Sequence, residues 1–169
     1  GIGLTARNSF PVAVPLLLAA GRFMAGSLKR YITEKRYTNT SRMKQSFFKI
    51  IGNEKIAERS WRMRLEGDLS EVAGSGQFVQ VCLPGFYLRR PISVCSVDGD
   101  VLTLVYRVVG KGTEAMSGFR KGDSIELITG LGHGFDPDAC TKSALLVGGG
   151  CGSAPLYELA KELVAKGKD

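Results

Sequence analysis

Residues 89–113 read RRPISVCSVDGDVLTLVYRVVGKGT. Within this stretch, two runs rich in β-branched residues, 94–97 and 101–109, flank the short turn Asp98-Gly99-Asp100. Apolar runs on both sides of a short acidic glycine turn are typical of a β-hairpin. The stretch therefore predicts two neighbouring antiparallel strands.

Both ends of this hairpin carry groups that suit a phosphate. Arg90 stands immediately before Pro91, and a proline holds its predecessor in extended conformations, so Arg90 is expected at the start of a strand. A guanidinium offers a planar fork of donors that fits a pyrophosphate. At the other end, Gly112 and Thr113 precede a short helical segment that Thr113 would cap, and free amides at a helix start favour an anion. Each feature alone is typical of an ordinary surface arginine or turn, but both on one hairpin favour a phosphate site.

Short strand patterns continue through residues 43–139. Gly, Asp, Asn or Pro residues bound six of them, at 47–51, 60–65, 78–83, 92–97, 101–109 and 124–128. In the second, Trp61, Met63 and Leu65 alternate with arginines, which predicts one buried and one exposed face. Six short strands at this spacing, with one brief helix after Gly112, predict an all-β, closed antiparallel barrel of the Greek-key kind. A small β-sandwich is the alternative.

Two glycine-rich segments follow the last predicted strand. The segment TGLGHGF, 129–135, has three glycines in five residues, which predicts positive φ angles or close packing against a flat group. The segment GGGCGSAP, 148–155, stands between an apolar run at 144–147, interpreted as a buried strand, and a helical pattern at 156–164. Strand, glycine loop and helix together predict the first βα unit of a dinucleotide-binding α/β domain, although Ser153 occupies the third position of the GxGxxG pattern.

Charge and cysteine content argue against several classes of function. Residues 1–42 hold seven of the 23 Lys and Arg residues and one of the 16 acids, so nearly all of the net charge of +7 lies there. The remainder is almost neutral, which argues against a nucleic-acid interface. The apolar block at 10–20 is too short to span a membrane. The four cysteines form no CxxC pair, so we expect free thiols in a reducing cytoplasm and no metal ligands in this chain.

These motifs resemble those of a known family. The segments Arg90-Pro91-Ile92-Ser93, Val105-Tyr106-Arg107 and Gly112-Thr113 resemble the FAD-binding segments of the ferredoxin-reductase-type flavoproteins. The run Gly-Gly-Gly-x-Gly-x-Ala-Pro-Leu at 148–156 resembles the start of the NAD-binding domain of that family. Within the family, the motifs are most similar to those of the electron-transfer subunits of NAD-dependent dihydroorotate dehydrogenase of the B type. The resemblance covers residues 43–169.

The resemblance implies a role for each matching residue. Arg90 would bind the FAD pyrophosphate, Ser93 would lie near the N5 edge of the flavin, and Ile92 would pack on the ring where relatives place a tyrosine. Segment 105–107 would line the adenine and ribose side, and segment 112–113 would give backbone amides to phosphate. The expected cofactor-binding residues are Arg90, Pro91, Ile92, Ser93, Val105, Tyr106, Arg107, Gly112 and Thr113 for FAD, and Gly148, Gly149, Gly150 and Gly152 for NAD. No side chain is expected to act as a general acid or base, because the flavin performs the redox chemistry.

As the resemblance implies, the chain has three parts: an extension at 1–42, an FAD-binding barrel at 43–139 and the incomplete start of an NAD-binding domain at 140–169. It would be an oxidoreductase subunit that receives electrons from dihydroorotate oxidation through an FMN-containing catalytic subunit and a [2Fe-2S] cluster. From FAD the electrons would pass to NAD, as a step in pyrimidine biosynthesis. We interpret the sequence as a truncated piece of a longer protein, and the cluster is expected after residue 169. The expected location is the cytoplasm, with no nucleic-acid or membrane partner.

Two other functions stay open. The first is the flavin subunit of another ferredoxin:NADP or sulfide oxidoreductase of the same superfamily. The second is a non-enzymatic β-barrel binding module, in which the glycines serve only turns. His133, the only histidine, is interpreted as structural because the family has an asparagine there. Cys151 stands where an aliphatic residue is usual, and no role is assigned to it.

Overall fold

The computed structural model describes residues 42–169, so the predicted extension at 1–42 lies outside the described residues apart from Arg42. The strands are β1 (Lys44–Ala57), β2 (Ser60–Glu66), β3 (Phe78–Cys82), β4 (Arg90–Asp98), β5 (Val101–Arg107) and β6 (Ser124–Leu131). Helix α1 (Lys111–Ser117) connects β5 to β6, and helix α2 (Ala154–Ala165) lies near the end of the chain. Short 3-10 turns, Pro137–Ala139 and Gly150–Ser153, lie between β6 and α2.

The six strands close into a barrel. Around it the neighbours follow the order β1-β2-β5-β4-β3-β6, and every neighbouring pair is antiparallel. Strand β2 therefore lies beside β5, and β3 beside β6, as in a Greek key. The predicted hairpin is present, with Asp98 of β4 opposite Val101 of β5 across the turn. This closure confirms the predicted barrel over the β-sandwich alternative.

The barrel encloses a core built from alternate residues of its strands. Its fully buried side chains include Phe48, Ile50, Met63, Leu65, Val79, Val81, Leu102, Leu104 and Leu127. On β2, Met63 and Leu65 are buried while Arg62 and Arg64 are exposed, which confirms the alternation predicted there. Met116 of α1 is also fully buried in this core, so the helix packs on the barrel through that residue.

Strand β4 contains an irregularity next to the candidate site. Its pairing with β5 shifts in register between Val94 and Ser96, and both of these residues are buried. A register shift of this kind bends a strand and changes which way a side chain points. Cys95, between the two buried residues, is half-buried and lies on the side of the barrel that faces α2.

The segment after the barrel follows the prediction only in part. The helix predicted at 156–164 is present as α2, which contacts β4. The buried strand predicted at 144–147 is wrong, because this segment forms no strand and Leu145 and Val147 are 89% and 81% exposed. A strand needs a neighbouring strand for its backbone hydrogen bonds, and no strand among residues 42–169 runs beside this one.

The described part of the chain has neither a candidate membrane-spanning helix nor a candidate metal cluster. No helix within residues 42–169 has the length and apolar content needed to cross a bilayer. No group of three or more His, Cys, Asp and Glu side chains there is arranged to hold a metal ion. Cys82, Cys95, Cys140 and Cys151 are free, half-buried thiols.

Candidate functional site

The two ends of the predicted hairpin meet at one point. Arg90 is the first residue of β4, and Gly112 lies in the first turn of α1, just after β5. A Cβ atom placed on Gly112 would lie 2.1 Å from Nε and 2.7 Å from Nη2 of Arg90. Only a glycine therefore leaves room for the guanidinium in its present position. The antiparallel pairing of β4 with β5 produces this contact, because it brings the start of one strand beside the end of the other.

The guanidinium of Arg90 is held in place by its own loop. Its Nη1 donates a hydrogen bond to the Leu88 carbonyl at 2.7 Å, and the group lies over the Phe86 ring at 5.3 Å from the centroid. Of the ion pairs formed among residues 42–169, none includes Arg90. A half-buried, oriented and unneutralised guanidinium is suited to bind an anion.

Thr113 is not the cap of α1, contrary to the prediction. The helix begins at Lys111, with the extended Gly110 as its N-cap. The Thr113 hydroxyl reaches back to accept hydrogen bonds from Val109 N at 2.9 Å and Gly110 N at 3.3 Å. The extended Gly110 lets the chain enter the helix earlier than Thr113, and its carbonyl accepts the first helical bond, from Glu114 N at 2.9 Å. The amides of residues 111–113 come before that bond, so they lie in the part of the helix whose N–H groups lack helical acceptors.

Helix α1 is anchored from inside the barrel by Asn53, a residue that the sequence did not single out. Its Nδ2 donates to the carbonyls of Met116 at 2.9 Å and Phe119 at 3.0 Å. Its Oδ1 accepts from the Tyr106 hydroxyl at 3.0 Å. Burial raises the pKa of Tyr106 to about 12, against the opposing effect of that hydrogen bond. Tyr106 is therefore a neutral core residue that helps to hold the helix.

The other expected FAD residues divide between two faces of their strands. On β4, Ile92 lies opposite Val79 and packs against the barrel core, whereas Ser93 lies opposite Phe78 and is exposed, as is Pro91. On β5, Tyr106 is only 2% exposed, which leaves its backbone as the part that could contact a ligand. Its neighbours Val105 and Arg107 are half-buried and exposed, respectively.

A cleft of about 580 Å³ lies between the barrel and the glycine-rich segment. Its lining residues are Ile56, Cys95 and Val105 on the barrel side, and Leu146, Gly148, Ser153, Ala154, Leu156, Tyr157 and Ala160 on the other. The lining is mostly apolar, as in sites that take a flat organic ring. Burial, followed by the charge of Glu158, raises the pKa of the Cys95 thiol, which keeps that thiol protonated at neutral pH.

The expected NAD glycines are not equivalent. A Cβ atom on Gly148 would lie 2.8 Å from the Ser153 Cα, so this glycine is required by packing. Around Gly149, Gly150 and Gly152 there is open space within 4 Å, and Gly150 has a φ of +56°. These three positions leave room for a ligand to approach the backbone. Cys151 sits among them, half-buried in the 3-10 turn.

The loop at 129–135 has the geometry that its glycines predicted. Gly130 and Gly132 have φ angles of +72° and +84°. A Cβ atom on Gly132 would lie 3.0 Å from the Phe78 ring, so a flat group does pack closely there. His133 is exposed in this loop.

Two contacts between α2 and the barrel were also missed by the sequence. Ser75 donates from its N and Oγ atoms to the Glu162 carboxylate, at 3.0 and 2.9 Å. Val97 N donates to Glu158 Oε2 at 3.2 Å. The residues of each contact are more than 60 positions apart, and no local pattern in one sequence marks such a pair.

No protein-family model matches the chain, but curated proteins of known name are similar to it. The chain is 43% identical over 133 residues to the electron-transfer subunit of dihydroorotate dehydrogenase B (NAD(+)) from Geobacillus sp. (strain WCH70). It is 41% identical over 131 residues to the subunit of the same name from Listeria innocua. Both matches cover 74% of this chain and 52% of the relative. The chain thus spans about half the length of the curated relatives it matches.

Solved structures share the fold. The structure of an NADH-dependent reduced ferredoxin-NADP oxidoreductase matches with a TM-score of 0.66 and 32% identity, over 73% of this chain and 46% of that one. Phthalate dioxygenase reductase, described as a modular structure for electron transfer from pyridine nucleotides to [2Fe-2S], matches with a TM-score of 0.62 and 25% identity. That match covers 73% of this chain and 41% of the reductase.

Proposed function

We propose that the chain is a ferredoxin-reductase-type flavoprotein and that its barrel binds FAD beside Arg90 and α1, because it is similar to the dihydroorotate dehydrogenase B electron-transfer subunits. The chain is then the flavin-carrying part of an oxidoreductase subunit. The contact between the Arg90 guanidinium and Gly112 supports this proposal most directly. It joins a fixed positive charge to the first turn of a helix, and a pyrophosphate suits both.

Each residue at this point has a distinct task. Arg90 binds the pyrophosphate, and its contacts with Phe86 and the Leu88 carbonyl keep the fork of donors oriented before the cofactor arrives. The absence of a side chain at Gly112 lets phosphate oxygens come close to the amides of segment 112–113. Pre-orientation of this kind reduces the entropy that binding costs.

The flavin ring is assigned to the outer side of β4, where the exposed Ser93 offers a hydroxyl at the ring edge and Pro91 lies beside it. The adenine and ribose side is assigned to Val105, Tyr106 and Arg107 on β5, with Tyr106 contributing through its backbone. Ile92 packs on the core in this structure, so its assigned contact with the ring is through its exposed part alone. When bound, FAD supplies the redox chemistry, and these residues orient it and exclude water.

The glycine-rich segment is assigned to NAD. Gly149, Gly150 and Gly152 leave the backbone open to a dinucleotide, and Gly148 keeps the segment close to α2. The whole subunit would take electrons from dihydroorotate oxidation through an FMN-containing partner and a [2Fe-2S] cluster held outside residues 42–169, and would pass them to NAD in pyrimidine biosynthesis. The names of the curated relatives support this assignment. Four free thiols fit a reducing cytoplasm.

A flavin titration of the full chain tests the proposal. We expect the purified protein to hold FAD, and Arg90→Ala to weaken FAD binding by about 1–3 kcal/mol, the range for charge-assisted hydrogen bonds. Arg120→Ala is the matched control, because Arg120 is an exposed arginine in the loop between α1 and β6 and is not among the residues assigned to FAD. A well-folded chain that holds no flavin would support the non-enzymatic binding module instead.

A further inference from the structure

We propose that Glu162 is a positioning residue that holds the glycine-rich segment 148–152 against the barrel and thereby sets the width of the cleft. Helix α2 directly follows that segment, so any movement of the helix away from β4 moves the segment with it. The cleft has Cys95 and Val105 on one wall and the start of α2 on the other. Its width therefore depends on what fixes the helix.

Ser75 joins three parts of the chain at one buried point. It is only 1% exposed and lies in the loop before β3. Its N and Oγ atoms donate to Glu162 at 3.0 and 2.9 Å. Its carbonyl accepts a hydrogen bond from Phe135 N at 2.8 Å, in the loop that follows β6. Glu162 is thus bound to a point that the barrel itself holds fixed.

The other polar contacts of α2 set its rotation but are weaker. Glu158 lies one turn before Glu162, on the same side of the helix, whereas Lys161 directly precedes Glu162 and points to a different side. Glu158 accepts from the Val97 amide at 3.2 Å. Lys161 pairs with Asp98, whose side chain is 63% exposed, so water screens most of that attraction. The two hydrogen bonds from the buried Ser75 make Glu162 the principal polar anchor, beside the packing of the buried Leu159 and Leu163.

The side of α2 that lines the cleft carries different residues. Ala154, Tyr157 and Ala160 recur at helical spacing and face the cleft. A different side of α2, which carries Glu162 and the buried Leu159 and Leu163, fixes the helix. The side with Ala154, Tyr157 and Ala160 is left to form the cleft wall. The anchoring of α2 does not depend on the proposed function. Only the effect of the cleft width on hydride transfer between flavin and NAD rests on it.

Thiol labelling of the full chain, without added FAD, tests the anchoring. Cys95 lies in the cleft, whereas Cys82 lies at the end of β3, outside the cleft, and serves as an internal reference. N-ethylmaleimide labelling of each would be followed by peptide mass spectrometry. In Glu162→Ala we expect Cys95 to label about tenfold faster relative to Cys82, the change that a lost charge-assisted hydrogen bond makes to an opening equilibrium. Glu162→Gln keeps one acceptor oxygen for the Ser75 N and replaces the other with an NH2 group that can donate to the Ser75 hydroxyl, so it should restore most of the protection.

Matched variants separate positioning from unfolding. Glu114→Ala removes an exposed acid from α1 and should leave Cys95 labelling unchanged. A rise in Cys82 labelling in Glu162→Ala would mean that the whole variant is loosened, and Ser75→Ala then becomes the test. This variant loses only the hydroxyl and should label Cys95 about threefold faster without a change at Cys82. Unchanged Cys95 labelling in whichever of these variants remains folded would overturn the proposal. Failure of FAD to bind would overturn the proposed function and leave this result untouched.

Discussion

The barrel and the segment at 144–147 place the same residue types in opposite environments. Leu102 and Leu104 on β5 are completely buried, whereas Leu145 is 89% exposed. Both stretches are short runs of leucine and valine. Strand β5 has β2 and β4 as neighbours, and the segment at 144–147 has no strand beside it among residues 42–169. An apolar run thus becomes a buried strand only where another strand satisfies its backbone and covers its side chains.

The two regions should differ most in how far an alanine substitution lowers the free energy of unfolding. Phe48→Ala should lower the free energy of unfolding by about 3–5 kcal/mol, because it empties a fully buried site in the barrel. Leu145→Ala should change it by less than about 0.5 kcal/mol, since the side chain is exposed. Urea unfolding followed by the fluorescence of Trp61, the only tryptophan, measures both. Equal costs would show that the segment at 144–147 is covered in solution.

The two helices offer a second comparison, because α1 is anchored by a neutral amide and α2 by charged groups. Asn53→Ala should lower the free energy of unfolding by about 2 kcal/mol, since it leaves the Tyr106 hydroxyl and the carbonyl groups at the end of α1 without their partner. Gln45→Ala on the same strand is the control, because Gln45 is exposed and bonds Glu126 at the surface. Urea unfolding of both variants provides the measurement. Equal stability of Asn53→Ala and Gln45→Ala would show that Asn53 does not anchor α1.

The glycines extend the comparison to ligand binding. Gly112→Ala should weaken FAD binding about tenfold, roughly 1.4 kcal/mol, because the new methyl group displaces the Arg90 guanidinium. Its stability should change little, since the atom it meets is the end of a flexible side chain. Gly149→Ala places its methyl group in open space, at a φ of −130° that any residue adopts, and should leave FAD affinity unchanged. Fluorescence titration with FAD compares the two, and an equal loss in both would disprove the role of the Arg90 contact.

The sequence predicted those features that depend on local pattern. Alternation on β2 and helical spacing in α2 are properties of neighbouring residues, and both were confirmed. The meeting of Arg90 with Gly112 was also predictable, because a hairpin brings its own two ends together. The N-terminal boundary of α1 was not, since the extended Gly110 and the reach of the Thr113 hydroxyl are settled by a competition among several backbone arrangements.

Contacts between distant segments lay beyond what the sequence could predict. Asn53 and Met116 are 63 positions apart, and Ser75 and Glu162 are 87 positions apart. Each contact forms only after the barrel has closed and has set the distances between loops. The prediction of a strand at 144–147 was wrong for a related reason. The local pattern is that of a strand, but it cannot supply the neighbouring strand that a strand requires.

The smallest expected effect concerns the charged contact of α2 and depends on pH. The hydrogen bond from Lys161, and then that from Ser96, lowers the pKa of Asp98. A carboxyl group with a lowered folded-state pKa contributes stability above its unfolded pKa and loses that contribution as the pH falls through the folded value. Asp98→Asn should therefore cost less than about 0.5 kcal/mol near pH 7, after allowance for screening of this exposed pair.

That small cost should fade as the pH falls below about 4, the ordinary range of an aspartate pKa. The cost of Asn53→Ala should persist over the same range, because an amide does not titrate. Urea unfolding of both variants along an acid series separates the two kinds of anchor. A cost of Asp98→Asn that stays constant with pH would show that this contact holds α2 through shape and packing, and would leave the Ser75 to Glu162 bonds as the charged part of the attachment.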